Sequence, residues 1–122
     1  MPSILVVDDD AAAGDLVAAL IRHFGYEATS ASSGDAALES LQGMLPDMVL
    51  LDMMMPDMNG IEVLKRIRSD ARTADLPVVM LSALDDEEWR LRAESAGASD
   101  YWIKGALDVG EMEELLRSRL PV

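Results

Sequence analysis

Cysteine is absent from the 122 residues, which excludes disulfides, thiolate metal centres and thiol redox chemistry. A single histidine, His23, leaves a zinc site too few nitrogen ligands and reads as a surface residue. Glycine and proline are few, 8 and 5, while half of the chain is apolar and 27% is charged. Such a chain can build a core and is not disordered. No apolar run approaches the ~18 residues of a membrane span. The start, MPSILVVDDD, lacks a basic stretch followed by a long apolar one. We therefore expect a cytoplasmic protein with no membrane association. Positive charge is also scarce: 10 Lys and Arg against 23 Asp and Glu give a net charge of −13. That field repels DNA phosphates and anionic lipid, and argues against nucleic acid as a direct partner. At this length roughly 65% of the unfolded surface is buried on folding, and one domain spanning residues 1–122 is expected.

What is there is regularly spaced. Five short aliphatic or β-branched runs, Ser3–Val7, Glu27–Ala31, Met48–Leu51, Pro77–Ser82 and Tyr101–Lys104, read as strands. The first, third and fourth are almost wholly apolar instead of alternating, as in parallel strands covered on both faces. Between them lie helical spacings: Leu16, Leu20, Ile21 and Phe24 in the first, Ile61, Leu64 and Ile67 in the third, and Met112, Leu115 and Leu116 in the last. Asp10, Ser33 and Asp108 read as N-caps, and Gly25 and Gly97 as the left-handed residues that end two helices. The last helix is predicted over about Asp108 to Ser118. The order βαβαβαβαβα with short connections predicts an α/β fold: a doubly wound, five-stranded parallel sheet in the order 2-1-3-4-5, with helices on both faces.

Ligands bind such a sheet beyond the carboxyl ends of its strands. There the first run ends in Asp8-Asp9-Asp10, the third in Asp52, the fourth in Ser82 and the fifth in Lys104. Asp8 or Asp9 then shares one crevice with Asp52, and carboxylates crowded together either raise one another's pKa or share a cation. An all-oxygen cluster suits Mg²⁺. Asp10 is the exception and reads as a cap. A nucleophilic carboxylate, a cation, a hydroxyl and an ammonium are the parts that phosphoryl transfer needs.

These residues resemble the receiver domains of two-component response regulators, over essentially the whole chain. ILVVDDD at 4–10, LLDMMMPDMNG at 50–60, VVMLSA at 78–83 and GASDYWIK at 97–104 look like the family's signatures in their usual order. The resemblance implies a flavodoxin-like receiver fold and makes Asp52 the phosphoacceptor. It implies that Asp8, Asp9, Asp52 and the main-chain carbonyl of Met54 hold Mg²⁺. Ser82 and Lys104 would contact phosphoryl oxygens, and Tyr101 would be the aromatic switch that turns inward as Ser82 moves. The implied donor is a sensor histidine kinase or a phosphotransfer protein. The implied readout is a changed surface of the fourth helix, fifth strand and fifth helix, offered to a target protein or an output domain. The protein would be a monomer or a phosphorylation-dependent dimer, and no enzyme beyond its own phosphorylation and dephosphorylation. The apolar side chains of Met54 and Leu84 are expected to flank the path of a hydrolytic water and slow its attack. Trp89 heads a stripe with Ala93 and Ala96 and reads equally as core or as partner contact.

One departure stands out. Gly105 follows Lys104 where the family usually carries a proline joined through a cis peptide. We therefore expect a trans Lys104–Gly105 peptide and a loosely held Lys104. Gly105 also gives support to an alternative, a receiver-like binding module that works without phosphorylation. An aspartate-nucleophile phosphohydrolase fits less well, because Met54 stands where an acid would protonate the leaving group. A dinucleotide enzyme would need glycines where Asp8 to Asp10 stand.

Overall fold

The apolar strands alternate their side chains between two buried layers, and this alternation organises the molecule. In the computed structural model, residues 1–55, 58–83, 85–105 and 108–120 are described. They form β1 (Ser3–Val7), α1 (Ala11–His23), β2 (Glu27–Ala31), α2 (Gly34–Ser40), β3 (Met48–Asp52), α3 (Gly60–Ser69), β4 (Val78–Ser82), α4 (Glu87–Ser95), β5 (Asp100–Ile103) and α5 (Val109–Arg119). The sheet is parallel throughout, in the order β2-β1-β3-β4-β5. Ile4, Val6, Met48, Leu50, Val79, Leu81 and Trp102 face one layer with Ala18 and Ile21 of α1 and Leu116 of α5. Leu5, Val7, Val49, Leu51, Val78, Met80 and Tyr101 face the other, with Ala37, Val63, Leu64, Ile67 and Ala93 from α2, α3 and α4. Two flanking layers explain why the central strands carry no polar face.

Helix ends follow local chemistry. Asp10, Ser33 and Asp108 accept from the backbone N–H of Ala13, Ala36 and Glu111, as their positions predict. Gly25 and Gly97 adopt φ of +99° and +102° just beyond the helix C-caps Phe24 and Ala96. Strand limits differ by one residue at four ends, in three strands. β3 extends to Asp52, β4 begins at Val78, and β5 runs from Asp100 to Ile103, which leaves Lys104 in the turn beyond it. Pro77 has no N–H to donate, although its carbonyl accepts from Val49 at 2.9 Å.

The stripe read for α1 needs correction at Leu16, which is 63% exposed. The helix instead buries Gly14, Ala18 and Ile21, with Val17 and Leu20 partly covered beside them. At about 100° per residue Leu16 lies ~140° around the helix from Ile21, too far to share its face. Leu16→Gln is therefore expected to change unfolding stability by no more than ~0.5 kcal/mol in a urea titration. A loss several times larger would restore Leu16 to the core.

Candidate functional site

Parallel pairing fixes the site. Val7 is in register with Leu51, Asp52 with Leu81, and Ser82 with Ile103. The residues that end β3 and β4, and those that follow β1 and β5, therefore meet along one edge of the sheet. Asp8, Asp52 and Ser82 are buried there, with Ser82 wholly inaccessible, and Asp9 is exposed. One carboxylate oxygen from each of Asp8, Asp9 and Asp52 lies within 4.8 Å of the other two.

Asp8 and Asp52 are held in place. The Asp8 amide donates to the Ala31 carbonyl at 3.1 Å, which ties the turn after β1 to the edge strand β2. Its Oδ1 accepts the Asp10 N–H at 2.9 Å, and its Oδ2 accepts the Lys104 ammonium at 3.1 Å. The same ammonium lies 3.3 Å from Asp52 Oδ1. Lys104 is thus not loosely held. It bridges two strand ends, and its own N–H donates to the Ser82 carbonyl at 2.7 Å. No cis peptide occurs among the described residues, and Gly105 turns the chain with φ of +82°.

Burial pushes the Asp52 carboxyl from 3.8 up to about 6. The Lys104 charge opposes that rise and Asp8 adds to it, while hydrogen bonds from Lys104 and the Met54 N–H pull back down. For Lys104, burial disfavours the charge, but the carboxylates of Asp52 and Asp8 outweigh it and raise the pKa. The ammonium is therefore retained. A raised carboxyl with an ammonium and a second carboxylate beside it is the kind of perturbed cluster that marks candidate functional sites.

Two further residues complete the description. Tyr101 is buried in the core layer, with the Arg90 guanidinium carbon 5.0 Å from its ring centroid. Met54 is half-exposed, two positions past Asp52. Leu84 lies outside the described residues. His23 is exposed, and Trp89 packs partly on the core while the Arg92 guanidinium covers its ring at 4.9 Å.

Gly60 was legible in sequence only as the end of a signature. In space its amide donates to the Met53 carbonyl at 2.8 Å, and a Cβ there would strike the Asp52 carbonyl oxygen. The first turn of α3 presses directly on the end of β3. The adjacent Asn59, whose side chain caps the Glu62 N–H, marks the start of that helix but not the closeness of the approach.

The sequence matches the response regulator receiver domain family over residues 4–117. It is 39% identical over 120 residues to the DNA-binding dual master transcriptional regulator RpaA of Synechocystis sp., covering 98% of this chain and 49% of that protein. Against the phosphate regulon transcriptional regulatory protein PhoB of Escherichia coli the identity is 39% over 101 residues, with 83% and 44% covered. The chain thus spans about half the length of these curated relatives. Among solved structures, Vibrio cholerae chemotaxis protein CheY4 superposes with a TM-score of 0.92 at 27% identity, covering 98% of this chain and 99% of that one. The BeF3-activated N-terminal receiver domain of Klebsiella pneumoniae RstA gives 0.88 at 30% identity, with 98% and 99% covered. Four strand ends carrying Asp8, Asp52, Ser82 and Lys104 on a 2-1-3-4-5 sheet, together with a match over residues 4–117, make this chain a member of the response regulator receiver domain family.

Proposed function

We propose that the protein is a phosphorylation switch in which Asp52 takes a phosphoryl group from a sensor histidine kinase or a phosphotransfer protein. The observation that carries this reading is the buried Asp52 carboxylate at a strand end, within reach of Asp8, Asp9 and the Lys104 ammonium. An Asp52 oxygen attacks phosphorus in line, the new O–P bond forms, and the bond from phosphorus to the donor breaks with its electron pair leaving on the donor. Lys104 compensates charge on the equatorial oxygens, and the Ser82 hydroxyl lies on the neighbouring strand end to donate to one of them.

The donor set fits a hard divalent cation: three carboxylates that converge within 4.8 Å, with no nitrogen or sulfur ligand among them. Asp8, Asp9 and Asp52 would hold Mg²⁺, with the Met54 main-chain carbonyl as the further oxygen. When bound, that ion neutralises the acidic cluster and the charge of the incoming phosphoryl group.

The protein catalyses only its own phosphorylation and dephosphorylation. Its output is a change in the α4-β5-α5 surface, relayed through Tyr101 and Ser82 and read by a target protein or an output domain. A cytoplasmic location and a monomer, or a dimer formed on phosphorylation, belong to the same reading.

Incubation with acetyl phosphate and Mg²⁺ followed by intact mass measurement tests it. One phosphoryl adduct is expected, and none with chelator, since unneutralised carboxylates repel the donor. An unmodified mass under both conditions would leave the binding module that works without phosphorylation. We also expect a persistent adduct, because Met54 and Leu84 offer no hydrogen bond to an attacking water. Met54→Asn combined with Leu84→Glu should shorten its half-life at least about tenfold after donor removal. Equal half-lives would refute that role.

A further inference from the structure

Three glycines among the described residues have positive φ, and two have an ordinary reason. Gly25 and Gly97 each follow a helix C-cap. Gly105 does not. It follows β5 and Lys104, with φ of +82°. A Cβ built on it would meet nothing within 4 Å, so no steric crowding demands glycine there. Only the backbone conformation does, because the left-handed region is disfavoured for L side chains.

The residue it follows is the one whose direction matters most. Lys104 is anchored from behind by its N–H on the Ser82 carbonyl, at 2.7 Å. Ahead of it the chain must leave the sheet edge before Asp108 caps α5. Between those constraints the side chain reaches back across two strand ends to Asp52 Oδ1 at 3.3 Å and Asp8 Oδ2 at 3.1 Å. Asp8 Oδ1 is already engaged by the Asp10 amide. With the ammonium in place, each oxygen of Asp8 already accepts one hydrogen bond.

We propose that Gly105 is a positioning residue whose left-handed turn holds the Lys104 ammonium on Asp8 and Asp52, where it competes with a divalent cation for Asp8 and stands ready for the phosphoryl group. This rests on the phosphoacceptor reading above for its second half only. The competition is a property of the unphosphorylated protein. Gly105 thereby trades cation affinity against placement of the charge that phosphoryl transfer uses.

The consequence is a pair of effects with opposite signs. Releasing the ammonium removes a tethered positive charge from the cluster, so Mg²⁺ binds more tightly. It also removes an aligned charge from the reaction, so phosphoryl gain at saturating Mg²⁺ slows. The left-handed penalty for an L residue corresponds to about five- to thirtyfold in population, which sets the expected scale.

The test uses Gly105→Ala, Gly105→Val and Gly105→Asn. Mg²⁺ affinity is measured by calorimetry on the unphosphorylated protein, and phosphoryl gain by intact mass with acetyl phosphate. Alanine should tighten Mg²⁺ binding and slow phosphoryl gain, each by about fivefold, and valine should do so more strongly. Asparagine, which tolerates the left-handed region, should retain most of both wild-type values. Lys104→Gln should bring Mg²⁺ affinity to the same raised value whether made alone or together with Gly105→Ala, because both changes release the same ammonium. Loss of both metal affinity and phosphoryl gain in the alanine variant, or wild-type values for both, overturns the proposal. If the wild type takes no phosphoryl group, the phosphoacceptor reading fails, while the calorimetric arm still decides whether Gly105 sets the competition.

Discussion

Asp52→Asn is expected to abolish phosphoryl acceptance and, in the same molecule, to make the metal-free fold more stable. The first effect follows from loss of the attacking oxygen's charge at the one buried carboxylate that ends β3. The second follows from its environment. Burial and the neighbouring Asp8 raise the Asp52 pKa from 3.8 to about 6, so the folded state holds the neutral form better than the unfolded chain does. The sign is then fixed. The stability linked to this proton is fully present below the unfolded value of 3.8 and is lost as pH rises through about 6. Wild type at neutral pH carries that penalty and the amide does not.

A shift of this size corresponds to about 2–3 kcal/mol. Urea unfolding in chelator should show a gain of that order for Asp52→Asn near pH 7, shrinking steadily as the pH approaches 4. Mg²⁺ should narrow the gap, since an ion bound only to the folded wild type stabilises it by mass action. An Asn variant less stable than wild type at neutral pH in chelator would show that the Lys104 pairing outweighs burial. An Asn variant that still gained one phosphoryl mass would move the acceptor elsewhere.

Gly60→Ala is the second large effect, and its direction runs against helix propensity. Alanine ordinarily stabilises a helix relative to glycine by up to about 1 kcal/mol. Here the added Cβ would lie 2.8 Å from Met80 Cε, 3.0 Å from Met53 Cα and against the Asp52 carbonyl oxygen. Met80 is flexible and can turn aside. The two backbone neighbours belong to β3 and the residue just beyond it, and they retreat only if α3 backs away from the sheet. Overpacking of this kind costs about 3 kcal/mol, enough to lower the melting temperature by roughly 10 °C in a domain of this size. Phosphoryl gain should fall as well, because the Met53–Gly60 hydrogen bond and the Asp52 carbonyl move together. Unchanged or increased stability would mean that α3 docks more loosely than this contact implies.

Much of the architecture was readable because it is enforced locally. Asp10, Ser33 and Asp108 cap helices through their own side chains, and Gly25 and Gly97 end helices through their own φ preference. The unbroken apolar runs of β1, β3 and β4 announced a sheet covered on both faces, and order and spacing sufficed for the 2-1-3-4-5 topology. Leu16 shows where such reading stops. Its spacing to Leu20 is helical, but which of two apolar arcs of α1 faces the sheet depends on what packs there. Small Gly14 and Ala18 allow the closer approach.

The site divides the same way. Sequence alone determined, to within a residue, which side chains stand at or just beyond each strand's carboxyl end, and so which carboxylates, hydroxyl and ammonium could meet, because strand periodicity and turn chemistry act over a few residues. Only the tertiary structure decided that Lys104, beyond which stands a glycine instead of the family's proline, is bridged to Asp8 as well as Asp52. It alone decided that Asp52 is raised to about 6, and that Gly60 rests on the Asp52 carbonyl. The physical reason is range. Desolvation, a bridge between strand ends 96 residues apart and a backbone approach all depend on atoms that are neighbours in space and strangers in sequence.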